Sequence, residues 1–325
     1  MNDSITPTVN AHFPVSNYAP GFYANLSNEA YHADPSISSS GLKMFAELPR
    51  LFYMNHVSDK RPPKEEKDCF SKGKRIHTAL LEPETYAERY AVAPYEFMYK
   101  KKGEPVEKLT VLTKKHKKFW SAFQEQAEEE GKEAILHREK EEDYAMVVEV
   151  LSNDFARRVF TLPGQVEASF FATCPDTGLP VRARPDKLVE LPGCDGFEGG
   201  IYIIDLKTTA KSLSNEAQIH IAMRDEMRHI QASFHKMVIE QALGTKIKGV
   251  VHIVCDVDYP FFYRCLQLQP DQIDQGNDER IALMLQLAKS FEKNSWPGYE
   301  EGIQYYIDTP SYLRTPSHYA LQIEI

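Results

Sequence analysis

Two acids and a base stand close together in the middle of the chain. The stretch IYIIDLKTTA, residues 201–210, begins with β-branched and aromatic residues and reaches Asp205, Leu206 and Lys207. Such a run is strand material. On a strand, Asp205 and Lys207 share one face and Leu206 takes the other. Asp186 lies nineteen residues before Asp205, in RARPDKL, which leaves room for a strand end, the turn PGCDGFEGG and a second strand. Adjacent strands would bring the two aspartates together. Two carboxylates converging at a sheet rim repel unless a cation lies between them, and hard oxygen donors suit Mg2+ or Mn2+. A lysine beside such a site stabilises an attacking hydroxide or the charge developing on a phosphate. The competing account is an ordinary salt-bridged strand end, and this stretch alone does not separate the two.

The pattern is Pro185-Asp186 followed by Asp205-Leu206-Lys207. By itself it is common. Three other residues add to it: His77 in GKRIHTALLEPE, four residues after Gly73; Glu167 in QVEASFF; and Gln231 in HIQASFH, with His235 one turn later on the same helical face. Each has a plainer account as a core histidine, an exposed strand glutamate or a surface amide. The serines of SISSSG read as a helix cap, since no GxSxG surrounds them.

These residues need elements to hold them. PSISSSGLKMFAELPRLFYMNH places apolar residues at helical spacing behind serine caps, and KGKRIHTALLEPETYAERY reads as a helix stopping near Pro83. Residues 60–70 and 95–115 are polar and lysine-rich and read as loops or arms. REKEEDYAMVVEVLSNDFARRVF gives an amphipathic helix and a short second one. QVEASFFATC, the turn PDTG and LPVRARPDKLVEL form a β-hairpin, with Glu167 on its first strand and Asp186 on its second. A third strand carries Asp205. SNEAQIHIAMRDEMRHIQASFHKMVIEQALG reads as one long helix ending at Gly244. KGVVHIVCDV and FFYRCLQLQ are two more strands, and DQIDQGNDERIALMLQLAKSFEKN a last helix. The order predicts an α/β domain, a mixed central sheet flanked by helices. We set the boundaries as a lead-in over 1–20, one domain over 21–293 and an irregular aromatic tail over 294–325. Trp120 and Trp296 read as core.

The chain has 325 residues, 42% hydrophobic and 26% charged, ordinary globular composition with length for a sizeable core. No apolar run is long enough to span a bilayer, and the N-terminus lacks the basic and apolar regions of a secretory signal. Cys69, Cys174, Cys194, Cys255 and Cys265 are scattered without a CxxC, so neither a zinc site nor a disulfide framework is expected, and a cytoplasmic setting fits. The net charge of −9 argues against a nucleic-acid partner, but its distribution argues back. Lys100, Lys101, Lys102, Lys108, Lys114, Lys115, Lys117 and Lys118 fall between Tyr99 and Phe119, and Arg61, Lys72, Lys74 and Arg75 form a second basic cluster. Read alone, a lysine run is a solvated face; beside a phosphate-cutting site it becomes a candidate DNA path.

Taken together, YHADPSISSSGLKMF, GKRIHTALLEPE, TGLPVRARPDKL, IIDLKTT and HIQASFH, in this order from about Gly21 to Gln269, resemble the exonuclease VIII (RecE-type) branch of the RecB-like PD-(D/E)xK nucleases. The resemblance implies a restriction-endonuclease-like core and an Mg2+-dependent exodeoxyribonuclease that degrades linear double-stranded DNA from its 5′ ends, leaving single strands for recombination. It also implies a single-strand annealing protein as partner and, since relatives form rings, a homo-oligomer. Carried over by position, Asp186 and Asp205 become metal ligands and the Leu206 carbonyl completes their shell. Lys207 orients the attacking water, and His77 adds a ligand at a second metal. Gln231 touches substrate or Lys207. Glu167 is a further candidate ligand. His235 stands where the family has tyrosine, a departure that leaves its contact with phosphate open. Lys100–Lys102, Lys114, Lys115, Lys117 and Lys118 become the DNA-binding path. Two other readings stay open: the same core acting on single strands or cutting internally, and a DNA-binding module without catalysis. The iron–sulfur relatives of this superfamily carry a cysteine cluster that this sequence lacks.

Overall fold

The structure, a computed structural model, describes residues 13–58, 68–99, 107–110, 117–193, 198–210 and 213–299. In chain order the first half holds β1 (Gly21–Tyr23), α1 (Asn28–Ala33), α2 (Ser39–Glu47), α3 (Pro49–His56), α4 (Asp68–Leu81), α5 (Tyr86–Arg89), β2 (Tyr90–Val92), β3 (Glu96–Tyr99), β4 (Glu107–Thr110), α6 (Lys117–Glu129), β5 (Glu133–Ile135), α7 (His137–Leu151) and α8 (Asp154–Thr161). The second half holds β6 (Gly164–Val166), β7 (Ser169–Thr173), β8 (Pro180–Ala183), β9 (Lys187–Leu191), β10 (Gly200–Thr209), α9 (Glu216–Asp225), α10 (Arg228–Leu243), β11 (Gly249–Asp256), β12 (Tyr263–Gln267) and α11 (Pro270–Lys293). None of the described helices is long and apolar enough to cross a membrane.

The central sheet has the order β12-β11-β10-β9-β6. Only β10 and β11 run parallel; the other neighbours are antiparallel. A parallel pair needs a crossover connection, and α9 and α10 supply it. The sheet is therefore mixed, as the sequence predicts. Side chains alternate along β10. Ile203 joins a core shared with α2, α3, α10 and α11, while Tyr202, Ile204 and Leu206 join a second core under α4, α7 and α8. By the same alternation Asp205 and Lys207 face α10.

One departure from the sequence reading matters most. The expected hairpin is a longer ribbon that bends halfway and serves two sheets. Its outer half, β7 with β8, pairs with β1 in a three-stranded sheet, and its inner half, β6 with β9, lies in the central sheet. Both arms break at one level, at Glu167 and Asp186, where the Glu167 amide donates to the Asp186 carbonyl at 3.1 Å. Glu167 adopts a left-handed φ of 50°, a conformation a non-glycine residue takes at a cost. Glu167 and Asp186 thus sit in bends between strands rather than within them.

Two further departures are local. The long helix is two, divided at Met227 with φ 49°; no glycine or proline marks that break. Part of the region read as loop, 96–99 with 107–110, forms an antiparallel pair. Other expectations hold in detail. Ser38 caps α2, its hydroxyl accepting from the Gly41 amide at 3.2 Å, and Gly244 ends α10 with φ 65°. Trp296 is buried, stacked on Phe52 with ring centroids 5.8 Å apart.

Candidate metal centre

The site forms where the ribbon bends against β10 and α4. Lys187, first residue of β9, is buried and donates to the carbonyls of Phe160 and Leu162. It satisfies carbonyls left open at the end of α8 and pins the strand that follows Asp186. Across the sheet, α4 lies close to β10. A Cβ on Gly73 would come 3.3 Å from Thr208 Oγ1, so glycine one turn before His77 keeps that approach open. Arg75 locks the helix from its other side: Nε donates to Asp143 Oδ2 at 2.7 Å, and the Tyr86 hydroxyl donates to the same oxygen at 2.7 Å.

So placed, His77, Glu167 and Asp186 bring one ligand atom each to within 4.8 Å of one another. His77 Nε2 is 3.0 Å from the Leu206 carbonyl oxygen, and a nitrogen facing a carbonyl must carry the proton. Nδ1 is left facing Asp186 Oδ1 at 3.8 Å and Glu167 Oε1 at 3.9 Å. Asp186 Oδ2 accepts from the Leu206 amide. Two carboxylates and an imidazole form a donor set that fits a divalent cation. Their own electrostatics ask for positive charge. Burial pushes the Asp186 carboxyl up to about 6, against the pull of Lys207 and His77. Burial alone would lower the His77 imidazole, but Asp186 and Glu167 outweigh it and raise it.

Asp205, the other carboxylate expected at the metal, stands beside this triad and is held by three donors. Its Oδ1 accepts from Lys207 Nζ at 2.7 Å and Gln231 Nε2 at 3.3 Å; its Oδ2 lies 2.9 Å from His252 Nδ1. Burial opposes its charge, but the Lys207 ammonium and the His252 hydrogen bond outweigh burial and hold the carboxyl well below the usual range. Of the two aspartates, then, Asp205 keeps its charge and Asp186 takes the first proton. Lys207 bridges them, 3.6 Å from Asp186 Oδ2, and the pair raises its ammonium despite burial.

Gln231 is oriented by its neighbours. Lys43 Nζ donates to its Oε1 at 2.9 Å and Arg228 reaches the same oxygen at 3.4 Å, which turns the amide nitrogen to Asp205. Burial, then Arg228, pushes the Lys43 ammonium down to about 8. His235 is buried, with Nε2 3.1 Å from Ser39 Oγ, and burial pushes it down to about 4. The structure therefore gathers Asp186, Asp205, Lys207, Gln231, His77 and Glu167, with the Leu206 carbonyl, and places His235 against α2. Lys100, Lys101, Lys102, Lys114 and Lys115 lie outside the described residues; Lys117 and Lys118 open α6 with their side chains undescribed. Lys43, Arg228 and His252 were missed. Lys43 lies within YHADPSISSSGLKMF but nothing in its type singled it out, and Arg228 carries no motif. His252 did carry a signal, a lone histidine in the apolar run VVHIVCDV.

Against known proteins, residues 38–309 match the family described as PDDEXK-like domain of unknown function (DUF3799). A solved structure from Eubacterium rectale, described as a "putative exonuclease", resembles this chain with a TM-score of 0.55. The two are 13% identical, over 88% of this chain and 96% of that one, so the likeness speaks for the fold. No curated protein matches.

Proposed function

The chain belongs to the PDDEXK-like family DUF3799, and on that premise we propose that it is a metal-dependent exodeoxyribonuclease degrading linear double-stranded DNA from 5′ to 3′. One observation carries the reading: His77, Glu167 and Asp186 converge within 4.8 Å while the Lys207 ammonium stands 3.6 Å from Asp186. A structural salt bridge needs no third and fourth ligand-type group around it.

When bound, a divalent cation, which we take to be Mg2+ with Mn2+ as substitute, polarises the scissile phosphate and lowers the pKa of water. His77, Glu167 and Asp186 would hold it, with the Leu206 carbonyl adjacent and Asp205 as the further carboxylate. Lys207 places a fixed positive charge where a phosphate gains charge in the transition state. Asp205, gripped by Gln231 and His252, keeps that ammonium in place. The RecE-type motifs support the exonucleolytic direction and the supply of single strands to an annealing protein; the lysine run supports a phosphate-tracking path. A ring-shaped oligomer would account for processive digestion.

The test is digestion of linear, nicked, circular and single-stranded DNA with and without Mg2+, with one end labelled at a time. Loss of linear duplex alone, from its 5′ ends, is expected. Digestion of single strands or closed circles at equal rate would overturn the exonuclease assignment, and DNA binding without cleavage would overturn catalysis.

A further inference from the structure

His252 is 1% exposed in the middle of β11, between the apolar residues Val251 and Ile253. The parallel pairing of β10 and β11 sets it opposite Asp205, so both side chains leave the sheet on the same face. The Asp205 carboxylate accepts from the Lys207 ammonium and the Gln231 amide, so the histidine proton facing it resides on Nδ1, 2.9 Å from Oδ2. Nε2 is then buried with no hydrogen-bond partner among the described residues. Leaving a ring nitrogen so placed costs stability, and packing alone would favour another valine or isoleucine here. What the ring supplies is its donor. Lys207 and Gln231 hold mainly the other oxygen, Oδ1, so the bond to His252 is what opposes rotation of the carboxylate.

We propose that His252 is a positioning residue: its Nδ1–H holds the Asp205 carboxylate in the rotamer whose Oδ1 carries the Lys207 ammonium beside Asp186. The kinetic consequence rests on the nuclease reading above; the tautomer and the contact with Asp205 do not. Without the donor, Asp205 swings and Lys207 loses its fixed distance to Asp186. A displacement of about 1 Å in such a group lowers turnover on the order of 100-fold.

Two measurements test this. In metal-free protein, long-range 1H–15N NMR should show His252 as the Nδ1–H tautomer, its ring resonances shifting in Asp205→Asn; an Nε2–H tautomer overturns the inference. In kinetics, His252→Leu fills the space without a donor, and His252→Asn returns an N–H near the position of Nδ1. Leu should lower kcat about 100-fold with KM for DNA nearly unchanged, and Asn should keep kcat within about tenfold of wild type. Wild-type kcat in Leu, or equal losses in Asn and Leu, overturns the inference. Should Leu not fold, Asn is compared with His252→Gln, whose amide extends toward the Nε2 position; equal losses there have the same force. If wild-type protein cleaves no DNA at all, the nuclease reading fails while the NMR measurement still decides the contact.

Discussion

Replacing Asp186 by Asn separates what the site does for function from what it costs the fold. The amide has the size of the protonated carboxyl, carries no charge, and keeps an oxygen to accept from the Leu206 amide. It therefore stands in for protonated Asp186. The wild-type carboxyl is raised from 3.8 to about 6 in the metal-free fold. Between those values the native state binds more protons than the unfolded chain, so stability falls as pH rises through that window and levels off above it. A shift of roughly two units corresponds to about 3 kcal/mol. Asp186→Asn should accordingly be more stable than wild type in EDTA at pH 8, by on the order of 2–3 kcal/mol, and nearly equal to it at pH 4. The assay is urea unfolding at several pH values. Adding a divalent cation should close the gap and, near saturation, reverse the order: ligand at 100 times its Kd stabilises wild type by about 2.7 kcal/mol and at 1,000 times by about 4.1, and the amide forfeits most of that. A less stable Asp186→Asn in EDTA at pH 8, or a difference that does not change with pH, would refute the reasoning.

Asp205→Ala should behave in the opposite way, losing on the order of 3 kcal/mol of stability with or without metal, because Lys207, Gln231 and His252 all donate to it; a melting temperature equal to wild type would argue against that network. Lys207→Ala should lower kcat by about 1000-fold or more, several kcal/mol of transition-state stabilisation; retention of a tenth of the activity would sink the assignment. His77→Ala should weaken Mn2+ binding, read by calorimetry, and Mn2+ should rescue its activity poorly; wild-type affinity would make the residue structural. Changing Lys114, Lys115, Lys117 and Lys118 to Gln should flatten the dependence of log K on log salt by up to about one unit per lost phosphate contact; an unchanged slope would move the DNA path to Arg61 and Lys72, since Arg75 is buried against Asp143.

Much of this arrangement could be read from the sequence, and the parts that could not share a cause. β10 was legible because its opening run is β-branched and aromatic, and Asp205 and Lys207 fall on the one face that a strand gives to every second residue. Asp186, Glu167 and His77 were legible by type and spacing. The bend that brings them together was not, since it depends on Glu167 taking a left-handed conformation, which no glycine or asparagine announces. The break at Met227 is hidden in the same way. Lys43 and His252 reach the site from 188 residues before Gln231 and 47 after Asp205, and single-sequence patterning has no access to such pairings. Which of the two crowded carboxylates holds the donors could be seen only in three dimensions.

The bent ribbon also bears on how the molecule comes apart. Because β7 and β8 continue as β6 and β9 without a linker, and because one core takes side chains from both sheets, the sheets form a single cooperative unit rather than two foldons. Fraying of the outer sheet would pull on the backbone that positions Glu167 and Asp186. Amide protons of Phe171 and Val189, one in each sheet, should therefore exchange with solvent at similar rates, and a cation bound at the bend should slow both together.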